Sequence, residues 1–230
     1  MAQPLVTVFG GTGFLGRHVA GRLRALETPV RIASRHAPAS RPEAVAWLRA
    51  DIGSDAAVAA AFADATIVRP AVMFGREDAL ITTLVGLLQR LPAVPMFGRG
   101  RTRLQPVHVE DVAEAIARML QPGAARAVTY ELAGPRIYTY AELLAVVAAR
   151  LARRPALLPM PFLFWHVLAR IGELLPGSPL QRSQVELMEV DTVASGAMPG
   201  FDALGIVPQS IDRTLEAIIA EGRQSGWHSV

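Results

Sequence analysis

The stretch from Leu5 to Leu26 constrains this chain more than any other. Leu5-Val-Thr-Val-Phe9 is a short, apolar, β-rich run of the kind that forms a strand buried in a parallel sheet. It leads straight into Gly10-Gly-Thr-Gly-Phe-Leu-Gly16, and from there apolar Phe14, Leu15, Val19, Leu23 and Leu26 recur at helical spacing with arginines between them. Strand, glycine turn and helix, in that order, give a glycine pattern its meaning. Of Gly10, Gly13 and Gly16, the first permits a tight turn, the second lets backbone approach a pyrophosphate, and the third lets the helix pack close to the strand. The helix N-terminus then offers free N–H groups and a partial positive charge to the phosphates. Gly10, Gly11, Thr12, Gly13, Phe14, Leu15, Gly16 and Arg17 are therefore candidates to bind a dinucleotide, with a glycine-rich turn that binds nothing as the alternative.

The next segments fit that frame. Pro29-Val-Arg-Ile-Ala-Ser-Arg35 reads as a second strand whose end would meet the adenosine ribose. An acid at this place would bind the ribose 2′-hydroxyl of NAD. Ser34 and Arg35 stand there instead, and a planar guanidinium suits the 2′-phosphate of NADP; NAD stays open. Ala44 to Ile52 reads as a third strand, with Asp51 and Ile52 placed where the adenine would lie. Ser54 and Asp55 are candidate caps for an alanine-rich helix from Ala56 to Ala63.

Beyond it, Thr66 to Gly75 reads as a strand and Glu77 to Leu91 as a helix stopped by Pro92. Phe97 to Leu104 reads as a strand with Arg99, Arg101 and Arg103 on one face, either a charged edge or a greeting for an anion. Asp111 and Glu114 fit a capping box for a helix reaching Leu120, and Thr139 with Glu142 a second one. Ala127 to Leu132 is a further strand. From Phe162 the chain is amphipathic, with Phe164, Val167, Leu168, Ile171, Leu174 and Leu175 on one side and His166, Arg170 and Glu173 on the other. That stripe is expected to pack on a core, with shallow membrane contact as the second use open to it. Ile211 to Glu221 forms a last helix.

Composition closes off several chemistries. With no cysteine, thiolate catalysis, disulfides and cysteine-ligated metals are excluded. Five scattered histidines show no ligand spacing, and no metal is expected. All 23 basic residues are arginine, so the chain has no lysine at all. A net charge of +3 with no nucleic-acid motif gives no reason to expect a nucleic-acid partner. Prolines and charges interrupt the apolar run from Leu157 to Pro176, so no transmembrane span is expected. The Met-Ala-Gln-Pro start lacks the pattern of a signal peptide, which makes a cytoplasmic location the default, peripheral membrane contact included.

The opening Val-Phe-Gly-Gly-Thr-Gly-Phe-Leu-Gly resembles the atypical, extended short-chain dehydrogenase/reductase family. Thr66-Ile-Val-Arg-Pro-Ala-Val-Met-Phe-Gly, Pro106-Val-His-Val-Glu-Asp-Val-Ala and Tyr130-Glu-Leu-Ala-Gly-Pro follow in that family's order. Ser183-Gln-Val-Glu-Leu-Met-Glu-Val-Asp and Leu204-Gly-Ile-Val-Pro look like the branch that holds the Rossmann-fold accessory subunit of respiratory complex I and its bacterial relatives. The resemblance implies an α/β fold: a Rossmann-like parallel sheet with helices on both faces, followed by a small, mostly helical, substrate-type C-terminal subdomain. The expected division is residues 1–125 and 126–230. It also implies a dinucleotide, NADP or NAD, and a membrane-associated protein complex as partners.

The departure from that family is as informative. Its members carry two strands and two helices between the third-strand helix and the strand matching Thr66 to Pro70, roughly 50 residues or more at ordinary element lengths. Here Ala63 and Thr66 nearly touch. The absent segment would hold, in catalytic members, a serine and a Tyr-x-x-x-Lys pair, and a chain without lysine cannot form that pair. The resemblance thus implies an NAD(P)-binding protein with little or no hydride chemistry. An active reductase or epimerase using His108 or Tyr138, with Arg69 or Arg103 anchoring substrate, and an interaction protein without nucleotide are the alternatives. The shortened sheet is expected to re-pair, with the Thr66 strand beside the Leu5 strand through a right-handed crossover.

Overall fold

A computed structural model describes residues 5–34, 46–49, 66–75, 78–121, 124, 128–172 and 182–224. The described chain divides into two compact units that alternate along the sequence. One gathers Met1–Pro70, His108–Leu132 and Gly196–Pro208; the other gathers Ala71–Val107, Ala133–Ser195 and Gln209–Val230. Arg35, Asp51, Ile52 and the Ala56 to Ala63 segment lie outside the described residues.

The first unit is built on a parallel sheet of β1 (Val6–Phe9), β2 (Val30–Ser34) and β3 (Ala46–Arg49), in that order. Val6 pairs with Val30 and Arg31 with Ala46. Helix α1 (Phe14–Ala25) returns the chain from β1 to β2. It packs on α3 (Val109–Met119), where Val19, Ala20 and Leu23 meet Ala113 and Ala117 in one buried cluster. Small alanines on this seam let the two helices approach closely. Arg22 donates to Glu114 across the seam, and Arg118 donates to the other oxygen of Glu114 at 2.8 Å. The two guanidiniums hold the Glu114 carboxyl below its usual range, the Arg22 hydrogen bond being the largest cause.

Two sequence expectations fail in this unit. β4 (Ile67–Pro70) pairs in parallel with β9 (Thr129–Leu132), not with β1, so the expected re-pairing does not occur among the described residues. Strand β4 finds a full four-residue ladder on β9, and the outer edge of β1 opens on a groove rather than a sealed interior. Phe9 is 53 % exposed there. The Asp111 cap also fails. β8 (Val107–His108) runs directly into α3, so His108 is the N-cap, Asp111 lies buried within the first turn, and Glu114 is engaged by arginines.

In the second unit, β5 (Met73–Phe74) leads towards α2 (Ala79–Arg90), and α2, α4 (Tyr140–Arg150) and α7 (Ile211–Gln224) bury Ile81, Leu84, Leu88, Leu143, Leu144 and Leu215 in one core. Asp78 caps α2, its carboxylate accepting from the Leu80 and Ile81 amides at 2.9 and 2.8 Å. Thr139 and Glu142 form the expected capping box on α4. The strand expected from Phe97 to Leu104 is instead two pieces: β6 (Ala93–Phe97), then a turn, then β7 (Arg103–Leu104). Gly98 and Gly100 have φ of +54° and +67°, a left-handed backbone that interrupts the strand. Arg103 pairs with Asp191 at 2.8 Å. β7 pairs antiparallel with β10 (Tyr138–Thr139).

β6 pairs in parallel with β11 (Ala156–Met160), a strand that the prolines around it hide in the sequence. β11 leads into α5 (Phe162–Gly172), followed by α6 (Arg182–Leu187). The expected core-facing stripe of α5 is reversed: Phe164, Val167, Leu168 and Ile171 are exposed, while Trp165 and Ala169 are buried. Leu174 and Leu175 lie outside the described residues. No described helix is long and apolar enough to cross a membrane.

Candidate nucleotide site

The site is assembled at the end of β1. The chain leaves Phe9 through Gly10, whose φ of +68° is a conformation that a side chain would strain. Gly10 accepts a 2.9 Å bond from the Gly13 amide, which closes the turn. Gly13 is the N-cap of α1, with extended backbone and no side-chain cap. No acidic residue stands in the first turn of α1. The leading amides of the helix are thus left to solvent or to an anion, with the positive end of the helix dipole behind them. Gly16 sits against the turn so closely that a Cβ would come within 2.2 Å of the Gly10 carbonyl oxygen. This is the tight helix–strand approach that the spacing predicts.

The remaining candidates take separate places. Gly11 is buried against the side chain of Ile32, while Thr12 and Gly13 lie exposed on the turn. The Phe14 ring lies edge-on to His18 at 5.4 Å. Leu15 packs into the α1–α3 cluster, and Arg17 is exposed one turn into the helix. The backbone of Ser34 ends β2. The turn therefore gathers the residues from Gly10 to Arg17, and Ser34 stands at the end of the adjacent strand.

A groove of about 510 Å³ adjoins the glycine turn. β1 supplies one wall, Phe14, Leu15 and Val19 of α1 another, and Ile116 with Leu120 of α3 closes it. None of its lining residues carries an acid, a base or a phenol. Ile116 and Leu120 escaped the sequence reading. Their spacing marks an apolar helix face, and only the open edge of β1 turns that face into a wall.

Of the two phenols flanking the Thr139 cap, Tyr138 donates to Asp212 at 2.7 Å and is pushed up to about 12, mainly by burial. Tyr140 is raised further, by burial alone. Neither is disposed to give up a proton at neutral pH.

Residues 56–133 match the model of the NAD dependent epimerase/dehydratase family. The chain is 30% identical over 189 residues to NADH dehydrogenase (ubiquinone) 1 alpha subcomplex subunit 9, mitochondrial, of Arabidopsis thaliana, covering 78% of this chain and 47% of that protein. The subunit of the same name from Rattus norvegicus is 29% identical, covering 84% of this chain and 52% of its own length. The chain spans about half the length of the curated relatives it matches. Among solved structures, a nucleoside-diphosphate-sugar epimerase from Staphylococcus aureus superposes with a TM-score of 0.69 at 14% identity, covering 93% of this chain and 100% of that one. At that identity the likeness speaks for the fold alone. Family match, named relatives and fold agree: the chain is of the extended short-chain dehydrogenase/reductase-like Rossmann type.

Proposed function

We propose that this chain binds a nicotinamide dinucleotide without serving as a hydride-transfer enzyme, and that it does so as part of a membrane-associated respiratory assembly. The observation that carries the reading is the turn from Gly10 to Gly16. It combines a left-handed Gly10, an uncapped helix start at Gly13 and a Gly16 that admits no side chain. A pyrophosphate fits such a cradle, because backbone amides and the helix dipole supply the charge complement. Gly10 to Gly16 would hold the phosphates, with Arg17 beside them.

The absence of catalysis rests on the chain's own chemistry. No lysine exists to complete a Tyr-x-x-x-Lys pair, and the groove beside the turn offers no acid, base or phenol among its lining residues. Arg35, by its sequence position, favours the 2′-phosphate of NADPH over the hydroxyl of NADH. What supports the assembly is that the relatives are named as NADH dehydrogenase subunits.

Calorimetric titration with NADPH and NADH tests this. The protein should bind NADPH more tightly than NADH. The Gly13→Asp variant, which sets a negative charge at the helix start, should bind neither. A folded protein that binds no dinucleotide, or one that turns over carbonyl substrates with NADPH, would overturn the reading.

A further inference from the structure

We propose that the outer edge of β1 is a docking surface for an extended, apolar β-strand of another polypeptide. The inference rests on strand geometry and is independent of the nucleotide reading. Among the described residues the sheet ends at β1, which pairs with β2 alone. The amide and carbonyl of a strand residue point the same way, and successive residues alternate. Val6 donates to the Pro29 carbonyl at 2.9 Å, so Val6 and Val8 serve β2 while Thr7 and Phe9 turn both groups outward. The side chains around that edge are apolar and incompletely covered. Val6 and Val8 pack with Leu15 and Ile116, yet all of them stay half-buried, and Leu120 at the end of α3 is 48 % exposed. With Phe9 they rim the groove beside the glycine turn. All these residues belong to one compact unit.

The backbone of this edge selects the occupant. The Thr7 and Phe9 amides ask for acceptors at the spacing of alternate strand residues, and an extended peptide carries them. A lipid tail or an apolar small molecule would shut these groups away from water and leave them unbonded, which works against its binding. The walls set the side chains. No lining residue is charged, so a charged side chain beneath Ile116 and Leu120 would lose water and gain no partner. The incoming strand is therefore apolar at alternate positions along the length of β1, roughly 13 Å. A second copy of this chain fits poorly. Edge-to-edge pairing of two β1 strands is antiparallel about a two-fold axis normal to the sheet, which keeps the helices of both copies on the same face. The β1 strand of the copy is already roofed by its own α1, so it cannot also lie beneath Ile116 and Leu120. A strand without helices of its own on that face can.

Hydrogen exchange of the isotope-labelled full chain, followed by NMR with and without a synthetic peptide, decides it. The probe is Lys-Ser-Val-Thr-Val-Thr-Val-Ser-Lys in excess, and the control peptide replaces its central valine with proline. The first peptide should slow exchange of the Thr7 and Phe9 amides by about tenfold or more and leave Val6 and Val8 unchanged. The proline peptide should slow neither, because it cannot continue a ladder. Leu120→Asp alters an exposed position, so it should keep the circular dichroism spectrum and melting temperature and weaken the peptide by about tenfold. Thr7→Pro removes an amide that β2 does not use, and it should leave no slowing at Phe9. Leu163→Asp, exposed on α5, should have no effect. The proposal falls if the first peptide leaves Thr7 and Phe9 unmoved, if the proline peptide acts equally, or if Leu120→Asp binds as tightly as the wild-type protein. It falls as well if both amides are protected in the protein alone and light scattering shows a dimer that Leu120→Asp dissociates, since a second copy would then hold the edge.

Discussion

Gly16 and Gly10 are packed so tightly that a Cβ on the first would meet the carbonyl oxygen of the second at 2.2 Å and the Gly11 Cα at 2.7 Å. Both neighbours are backbone, so neither can swing aside as a flexible side chain would. Gly16→Ala must therefore lift the start of α1 away from β1. The expected cost is about 1–3 kcal/mol in urea melts, the range of an overpacked core. On the proposed function, dinucleotide affinity should fall with it, because the helix amides proposed to meet the pyrophosphate move as one body with the helix. Gly21→Ala is the control. Gly21 lies on the same helix with nothing near its missing Cβ, and alanine there should be neutral or slightly stabilising. Equal effects at Gly16 and Gly21 would refute the close-packing account.

Tyr138 tests the non-catalytic reading directly. Its hydroxyl donates to Asp212 at 2.7 Å, and the Arg136 guanidinium lies 4.6 Å from its ring centre. Burial first, and the Asp212 bond second, hold the phenol proton in place. Tyr138→Phe should therefore cost about 1 kcal/mol of stability, the usual worth of one hydrogen bond, and leave NADPH affinity unchanged. Loss of a measurable oxidoreductase activity in this variant would instead make Tyr138 a participant in chemistry.

Local rules read the parts of this fold that local rules decide. The glycine turn, α1, β2 and the Thr139–Glu142 cap follow from spacing within a few residues. The misses share a different cause. On α5 the periodicity identified an apolar face, but periodicity cannot say which side the protein lies on. A narrow seam of Trp165 and Ala169 is enough to dock the helix, and the broader face is left outside. The Phe97 to Leu104 alternation looked like a strand because period-two arginines outweighed two glycines. The left-handed backbone at Gly98 and Gly100 settles the matter the other way. The cap at Asp111 was displaced because β8 and α3 share the boundary at His108, a tertiary constraint with no local signature. Of the candidate site, the geometry of the glycine turn was legible, while the groove walls at Ile116 and Leu120 depend on β4 choosing β9 as its partner.

That choice makes a prediction about β1. The Val6 amide donates to the Pro29 carbonyl at 2.9 Å, so alternate residues of the strand face β2. Thr7 and Phe9 then aim their amides at the opposite edge. In hydrogen exchange followed by NMR, Val6 and Val8 should be protected while Thr7 and Phe9 exchange at least about tenfold faster. Protection of Thr7 and Phe9 equal to that of Val8 would mean that another strand occupies this edge.

Asp78 sets the pH dependence of the second unit. It is buried at the start of α2, and burial pushes its carboxyl up from 3.8 to about 6, against the pull of the Ile81 and Leu80 amides. A carboxyl whose folded pKa exceeds its unfolded value binds its proton more tightly when folded. Its ionisation therefore penalises the native state, in full above about pH 6 and not at all below about pH 4. A shift of this size corresponds to something on the order of 3 kcal/mol. Stability from this group should thus rise as pH falls from about 7 to about 5. Glu114, Glu142 and Asp191 are all lowered, so their contributions are lost only at more acid pH and leave this window alone. Asp78→Asn keeps an acceptor for the helix amides and removes the titration. Urea melts of the two proteins at about pH 5 and about pH 7 isolate the effect, since every other titrating group is common to both. The wild-type protein should gain stability at the lower pH relative to Asp78→Asn. Parallel slopes would mean that Asp78 is ionised at neutral pH without penalty, its two amide bonds offsetting its burial.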